Sequence, residues 1–267
     1  MDSSERQSTD FERRRKAWNE RARSDALGSI CTGRGPSGAW TREDFFKSGT
    51  QEVDLLLGYL SRLGVSPHLD KALDFGCGVG RLSRALALHF GSVLGVDVSD
   101  EMVRQATDLN RDKPNLRFVV NARDDLRAFE GGSFDFVLSD IVLQHVHTAE
   151  SRRYVSEFIR LLGDSGIAVF QLPGPVTRRG IATGAAARRG LSHNGLDPKE
   201  VQEIVEKAGG TIRASLSSPR SYLSLLYLLP GGPPPPPGTL AGSAFGLLVD
   251  NRPSFAYVVH RDTHRAP

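Results

Sequence analysis

The chain reads Ala72-Leu73-Asp74-Phe75-Gly76-Cys77-Gly78-Val79-Gly80-Arg81-Leu82-Ser83 over the stretch that decides its fold. An apolar segment leads through three alternating glycines into helical sequence, which is typical of a strand, a tight turn and a helix. Glycine allows the tight turn and leaves no side chain between the backbone and a ligand at the helix N-terminus. The pattern therefore predicts an α/β fold with a ligand site at this turn.

A carboxylate stands at the end of the next predicted strand. Val93-Leu94-Gly95-Val96-Asp97 ends 17 residues (97 − 80) after Gly80. In nucleotide-binding α/β folds an acid at this position accepts hydrogen bonds from the ribose hydroxyls. We therefore expect a cofactor that contains a nucleoside.

The fine spacing of the turn argues against a dinucleotide. The fingerprint G-x-G-x-x-G needs a third glycine at position 81, where this chain has Arg81. Asp74 would repel a diphosphate and attract a cationic amino group. A turn that binds nothing is the alternative, and we disfavour it because strand, glycines, helix and acid agree.

The motif D-x-G-x-G-x-G, with the acid that follows, resembles the S-adenosyl-L-methionine (SAM) site of class I methyltransferases. The resemblance covers about residues 40–206 and includes segments 98–102 and 118–126. Its most specific part after the glycine turn is segment 133–146, which is similar to the small-molecule branch of the family. It implies a Rossmann-like sheet of seven mostly parallel strands with helices on both faces. The last strand would be antiparallel and inserted between the fifth and the sixth.

The resemblance also implies the cofactor-binding residues. The glycine turn would surround the methionine portion of SAM, Asp97 would hold the ribose, and Asp140 would lie beside the sulfonium. Where the family often has Gly-Asp, this chain has Asn121-Ala122, so Asn121 or backbone atoms would read the adenine amino group. The complete predicted set is Asp74, Gly76, Cys77, Gly78, Gly80, Asp97, Val98, Met102, Asn121, Ala122, Arg123 and Asp140.

His145 is the first candidate for a catalytic residue, because it follows the predicted fourth strand and histidine is a suitable general base near neutral pH. The alternative is that His145 only holds a helix to a neighbouring loop. His147 and His193 are weaker candidates, and an acid of the N-terminal segment, Glu43 or Asp44, is a further one. The seven histidines and two cysteines show no zinc-ligand spacing, so no metal site is predicted.

Charge and composition bear on partners and location. A net charge of +3 and a pI near 9.0 invite a nucleic-acid interpretation. The basic cluster at 13–16 is intermixed with Glu12, Glu20 and Asp25, however, which is typical of a solvated helix face. No apolar run reaches about 18 residues, so no membrane span is predicted. Only two cysteines occur, and with Cys77 in the glycine turn we expect a reducing, cytoplasmic location.

The predicted organisation is an N-terminal helical extension or lid over 1–60 and a SAM-binding methyltransferase domain over 61–267. Charged helical sequence runs to about residue 26 and is followed by a glycine-rich, mobile stretch over 28–38. The aromatic group Trp40, Phe45 and Phe46 either builds a wall of the active site or packs helices on the sheet.

Two insertions are predicted near 173–196 and 221–253. The first lies where ligands of α/β sheets gather, and we expect it to help choose the substrate. The second contains a leucine cluster and a run of five prolines, a stiff spacer. The cluster is interpreted as core, substrate pocket or homodimer surface, in that order.

The later elements follow from periodicity and caps. Segment 167–170 is the predicted fifth strand, 211–214 the sixth and 255–259 the last. Asp197 is the predicted N-cap of a helix that begins at Pro198.

Together these features predict a SAM-dependent methyltransferase that acts on an oxygen or nitrogen of a small molecule, with secondary metabolism as one setting. The alternatives are an RNA or protein methyltransferase, whose affinity would fall steeply with salt, and a SAM-binding regulatory protein without turnover.

Overall fold

The computed structural model describes residues 3–31, 39–174, 195–218 and 254–262. Their strands form one seven-stranded sheet in the order β3-β2-β1-β4-β5-β7-β6. The strands are β1 Lys71–Phe75, β2 Ser92–Asp97, β3 Leu116–Val120, β4 Phe134–Ser139, β5 Leu162–Pro173, β6 Gly210–Ser218 and β7 Ser254–Arg261.

Helices connect these strands and precede them. They are α1 Ser3–Ile30, α2 Arg42–Arg62, α3 Arg81–Leu86, α4 Asp100–Leu109, α5 Thr148–Leu161 and α6 Pro198–Lys207, with a 3₁₀ turn at Leu143–His145. The segment directly after β4 forms only this single turn before α5 begins. The predicted fold is confirmed: β1 to β5 pair in parallel, and β7 runs antiparallel between β5 and β6.

The sheet buries side chains on both faces, because successive residues of a strand point to opposite sides. Leu73 and Val137 belong to a core with α5 and α6. Ala72 and Leu138, their neighbours in sequence, belong to the core on the other face, with α2 and α3. Two covered faces explain why the central strands are apolar throughout rather than alternating.

A third, smaller core attaches α1 to the rest of the molecule. Ala22 and Ala26 of α1 pack with Phe45 of α2, Val79 of the glycine turn and Met102 of α4. Phe45 is completely buried there. The aromatic group of α2 thus packs the N-terminal helices together, as one of the two interpretations predicted.

The first helix extends beyond its predicted end at residue 26. Asp25 has an extended backbone that kinks α1, and its carboxylate accepts a hydrogen bond from the Gly28 N–H at 2.9 Å. This side chain caps a second helical segment, which reaches Ile30 through the start of the glycine-rich stretch. Residues 28–30 are therefore helical, contrary to the mobile segment predicted, and 32–38 lie outside the described residues.

The first insertion begins at the C-terminal end of β5. Pro173 closes the strand, and the Leu196 N–H donates to the Pro173 carbonyl at 3.2 Å. The rest of that insertion, including His193, lies outside the described residues, as does the whole second insertion at 221–253.

The cap predicted for α6 is confirmed, since the Asp197 carboxylate accepts a hydrogen bond from the Lys199 N–H at 2.9 Å. We expect Asp197→Ala to lower the free energy of unfolding by about 1 kcal/mol, the usual contribution of an N-cap. Urea denaturation of the two proteins measures this difference. Asp197→Asn should recover most of it, and equal losses for both variants would contradict a capping role.

Candidate active site

The glycine turn joins β1 to α3 and is held to β2. The N–H groups of Gly76 and Cys77 donate to the Val96 carbonyl at 2.7 and 3.1 Å. Gly76, Gly78 and Gly80 all have positive φ, at 76, 54 and 86°. A Cβ on Gly76 would lie 2.3 Å from the Val142 side chain. Glycine is required at 76 for both conformation and space.

Asp97 closes the turn from the side of β2. Its two carboxylate oxygens accept hydrogen bonds from the N–H groups of Gly78 and Ser99, at 2.9 and 2.8 Å. Burial raises the pKa of Asp97, and these backbone hydrogen bonds oppose the rise. A carboxylate has about four acceptor positions, so two backbone donors leave capacity for ligand hydroxyls.

A cavity opens at the carboxyl ends of β1, β2 and β4, where ligands of open α/β sheets bind. Eight of the residues predicted for the site line it: Gly76, Gly78, Asp97, Val98, Met102, Asn121, Asp140 and His145. The structure thus brings together residues that are up to 69 positions apart (145 − 76).

Five residues predicted for cofactor binding do not line the cavity. Asp74 is buried beneath the turn, where it accepts a hydrogen bond from Ser83 Oγ at 2.5 Å, and burial raises its pKa to about 6. Cys77 is buried, and Gly80 is the N-cap of α3. Ala122 is exposed, and the Arg123 guanidinium pairs with Asp125 at 3.0 Å. Their direct roles in ligand binding stay predictions. The hydrogen bond from Ser83 to Asp74 joins β1 to α3 on either side of the glycine turn.

The N-terminal helix supplies a wall that the sequence analysis did not identify. Phe11, Arg14 and Trp18 of α1 line the cavity, together with Ser29 and Ile30 near its end. Trp40, Phe45 and Phe46, the aromatic residues considered for a wall, do not line it. The missed signal was the spacing of 11, 14 and 18, which places three side chains on one helix face.

Polar contacts fasten this wall to the start of α4. Arg15 donates to both carboxylate oxygens of Asp100 at 3.0 and 2.8 Å. Asn19 Oδ1 accepts hydrogen bonds from Ser99 Oγ and the Glu101 N–H at 2.6 and 3.1 Å. Ser99 is also the N-cap of α4. The turn after β2 therefore carries both Asp97 and the attachment of α1.

A second attachment joins α1 to α5. Arg14 pairs with Glu150 at 2.6 Å, and the Glu150 side chain is only 1% exposed. Glu150 Oε2 also accepts a hydrogen bond from the His147 N–H, and His147 caps α5. His147 thus has a structural task, which weakens it further as a catalytic candidate.

His145 lines the cavity from the 3₁₀ turn that follows β4. Its ring meets Trp18 edge to face, with centroids 5.3 Å apart, and Nε2 lies 3.1 Å from the Gln144 amide nitrogen. Both neighbours restrict the orientation of the imidazole. Glu43 and Asp44 do not line the cavity.

Asn121 shapes the turn after β3. Its side-chain amide donates to the carbonyls of Arg123 and Asp125 at 3.2 and 2.8 Å, and its N–H donates to the Asp97 carbonyl at 2.8 Å. The residue therefore fixes the loop that borders the cavity, and its amide oxygen is left to accept a hydrogen bond.

The described residues contain no group of three or more histidine, cysteine, aspartate or glutamate side chains that could hold a metal ion. In the same part of the chain, no helix is long and apolar enough to cross a membrane.

The fold and the site define a class of protein. The structure is similar to that of magnesium protoporphyrin IX methyltransferase from Synechocystis with bound SAH, with a TM-score of 0.59 and 21% identity. The match covers 93% of this chain and 98% of that one. The fold is thus the Rossmann-like methyltransferase fold, with a cavity at the edge where it binds nucleoside cofactors.

Residues 73–170 match the family described as "Methyltransferase domain". Over this segment, the chain carries a domain of the class I SAM-dependent methyltransferase type. The segment runs from β1 into β5 and contains all thirteen predicted site residues.

Curated relatives match the same part of the chain. A 2-methyl-6-phytyl-1,4-hydroquinone methyltransferase of Synechocystis is 33% identical over 130 residues, which are 48% of this chain and 39% of the relative. A ubiquinone biosynthesis O-methyltransferase of Psychrobacter arcticus is 32% identical over 103 residues, 37% of this chain and 39% of the relative. The chain therefore spans less than half the length of these curated relatives.

Proposed function

We propose that this protein transfers the methyl group of SAM to an oxygen or nitrogen atom of a small molecule. The observation that carries the proposal is the half-buried Asp97 carboxylate, which lines a largely apolar cavity beside the glycine turn. The turn has no side chain where a ligand must approach, and a Cβ at Gly76 would already collide with Val142. These features fit a nucleoside that carries a cationic amino-acid group.

The roles of the cavity residues follow from their positions. Asp97 would accept hydrogen bonds from the ribose, and Asp140 would face the cationic end. Val98, Met102 and Asn121 would surround the adenine. Bound SAM supplies an activated methyl group on a sulfonium. The protein aligns the acceptor with that methyl group and keeps water away, so proximity and desolvation provide most of the acceleration.

His145 is our proposed general base for a hydroxyl acceptor. It lines the cavity on the side of α1, where the acceptor would enter beside the cofactor. The edge-to-face contact with Trp18 fixes the orientation of the imidazole ring, as a general base requires.

The acceptor class follows from the wall and the relatives. Phe11, Trp18 and Tyr154 make the wall aromatic, which suits an apolar ring. The relatives named above include a hydroquinone methyltransferase and an O-methyltransferase of ubiquinone biosynthesis. Phenols and quinols are therefore the first acceptors to screen, and the helix α1 would act as the lid over them.

Calorimetry with SAM, SAH and NADH tests the cofactor. Micromolar binding of both sulfur compounds and none of NADH supports the proposal. Binding of neither would overturn it. Methyl transfer to RNA or to a protein, with affinity that falls steeply as salt rises, would replace the small-molecule acceptor.

Asp97→Asn tests the ribose contact. We expect the Kd for SAM to rise about 10- to 150-fold, because a hydrogen bond to a charged group contributes about 1.5–3 kcal/mol. Asparagine keeps one oxygen for the Gly78 or Ser99 N–H, so the turn should survive. Asp108→Asn, on the exposed face of α4, is the matched control, and circular dichroism verifies folding. Unchanged SAM affinity in folded Asp97→Asn would refute the assignment.

A further inference from the structure

Three charged side chains meet under one end of the cavity. Arg81, on the first turn of α3, pairs with Glu52 of α2 at 2.6 Å, and both side chains are only 9% exposed. Gly49 permits this meeting, because a Cβ there would lie 2.4 Å from the Arg81 carbonyl oxygen and hold α2 away. Asp140, which follows β4 and lines the cavity, approaches the same Glu52 carboxyl group.

The charges of this group balance only if it holds a proton. The Asp140 carboxyl group interacts with both members of the Arg81–Glu52 pair, so the three side chains form one cluster. In the described part of the chain, Glu52 Oε1 and Asp140 Oδ1 are both buried and receive no hydrogen bond. Arg81 neutralises one negative charge. Two carboxylates in contact cannot both stay ionised, so one shared proton satisfies both oxygens and the charge balance.

The surroundings agree with a carboxyl pair that holds one proton. Burial raises the pKa of Asp140 well above its ordinary value, and the Glu52 charge adds to the rise while Arg81 opposes it. Asp74 of β1 faces the group as a further carboxyl. Cys31, at the end of α1, faces it as a thiol whose pKa burial raises to about 11. Neither neighbour brings a compensating positive charge.

The sheet order decides which part of the cofactor meets this group. β1 lies between β2 and β4, so Asp97 and Asp140 stand at opposite sides of the glycine turn. With the ribose at Asp97, a ligand that crosses the turn directs its amino-acid end toward Asp140. SAM carries a sulfonium cation there, and SAH carries a neutral thioether.

We propose that the Glu52–Asp140 carboxyl pair distinguishes SAM from SAH by charge. The pair holds one proton in the free protein and beside SAH, and releases that proton to solvent when the sulfonium of SAM binds. The two ionised carboxylates then face two cations, Arg81 and the sulfonium. This inference rests on the proposed function, since it requires that SAM binds in this cavity.

Proton release on binding tests the proposal directly. Calorimetry of SAM and SAH in two buffers of different ionisation enthalpy, at several pH values from 6 to 7, counts the protons released. In this range the α-amino groups of both ligands are protonated, because free α-amino groups titrate at about 7.7–8.0. SAM and SAH carry the same α-amino group, so any change in the protonation of Asp74 beside that group is the same for both ligands. We expect SAM to release up to one proton more than SAH, so its affinity gains up to tenfold per pH unit relative to SAH.

Two variants of α2 identify the source of the proton. Glu52→Gln keeps an oxygen for Arg81 and removes the acid pair, so the difference between SAM and SAH should disappear. Asp54→Asn, an exposed change on the same helix, should keep it. Equal proton release by both ligands in the natural protein, or a difference that persists in folded Glu52→Gln, overturns the proposal. If neither ligand binds, the proposed function fails as well, which the first titration shows by itself.

Discussion

His145→Ala should lower kcat for a hydroxyl acceptor by about 10²–10⁴-fold, the usual contribution of a general base. The affinity for SAM should stay nearly unchanged, because the proposed task of His145 concerns the acceptor and not the cofactor. Steady-state kinetics with the best acceptor from the screen gives kcat, and calorimetry gives the Kd for SAM. Only the neutral imidazole accepts a proton, so kcat of the natural protein should rise with pH along an acid limb.

The pH profile separates a base from a positioning residue. If His145 is the base, the acid limb disappears in His145→Ala, and a preionised acceptor such as an acidic phenol recovers much of the rate. His89→Gln is the matched control, because His89 is paired with Asp54 far from the cavity wall. A folded His145→Ala protein with unchanged kcat would show that His145 is not the general base. Alignment of the acceptor with the methyl group would then account for catalysis.

Gly76→Ala should lower the free energy of unfolding by about 2–5 kcal/mol. Part of the loss is the left-handed backbone, about 1–2 kcal/mol for a residue with a Cβ. The rest is the collision with Val142, 2.3 Å from the added atom, since forcing a methyl group into packed space costs about 1–3 kcal/mol. The displaced turn should also abolish detectable SAM binding. Chemical denaturation and calorimetry measure the two effects.

Gly64→Ala is the matched control for this change. Gly64 also has positive φ, at 68°, but a Cβ there would have no atom within 4 Å. Its loss should therefore be limited to the backbone cost of about 1–2 kcal/mol. Equal losses at 64 and 76 would show that Val142 moves aside freely.

The sequence was sufficient for the fold because its signals are local. The alternation of glycines, the acid at 97 and the apolar strands each depend on a few adjacent residues. The position of β7 between β5 and β6 was predicted from the resemblance alone, and it is confirmed. The extension of α1 past residue 26 was missed because a side chain, Asp25, caps it from within.

The site was predicted best where it follows the strands. Asp97, Asn121 and Asp140 stand at strand ends, so the order of strands brings them to one edge. The wall from α1 and the Glu52–Arg81 pair depend on how separate helices pack, and no local pattern encodes that distance. The ligand contact expected of Asp74 stays a prediction, and the structure adds a partner that the motif did not indicate, the Ser83 hydroxyl group.

The residues of α1 that line the cavity lie outside the segment that matches the methyltransferase family. The matched family segment, 73–170, holds the glycine turn, Asp97 and His145, while Phe11 and Trp18 lie more than fifty residues upstream of it (73 − 18 = 55). With the roles proposed above, cofactor binding and acceptor choice would be encoded on different pieces of sequence. Exchange of the first helix could redirect such an enzyme to new acceptors without alteration of its sheet, and a relative that shares only the segment inherits the chemistry but not the choice.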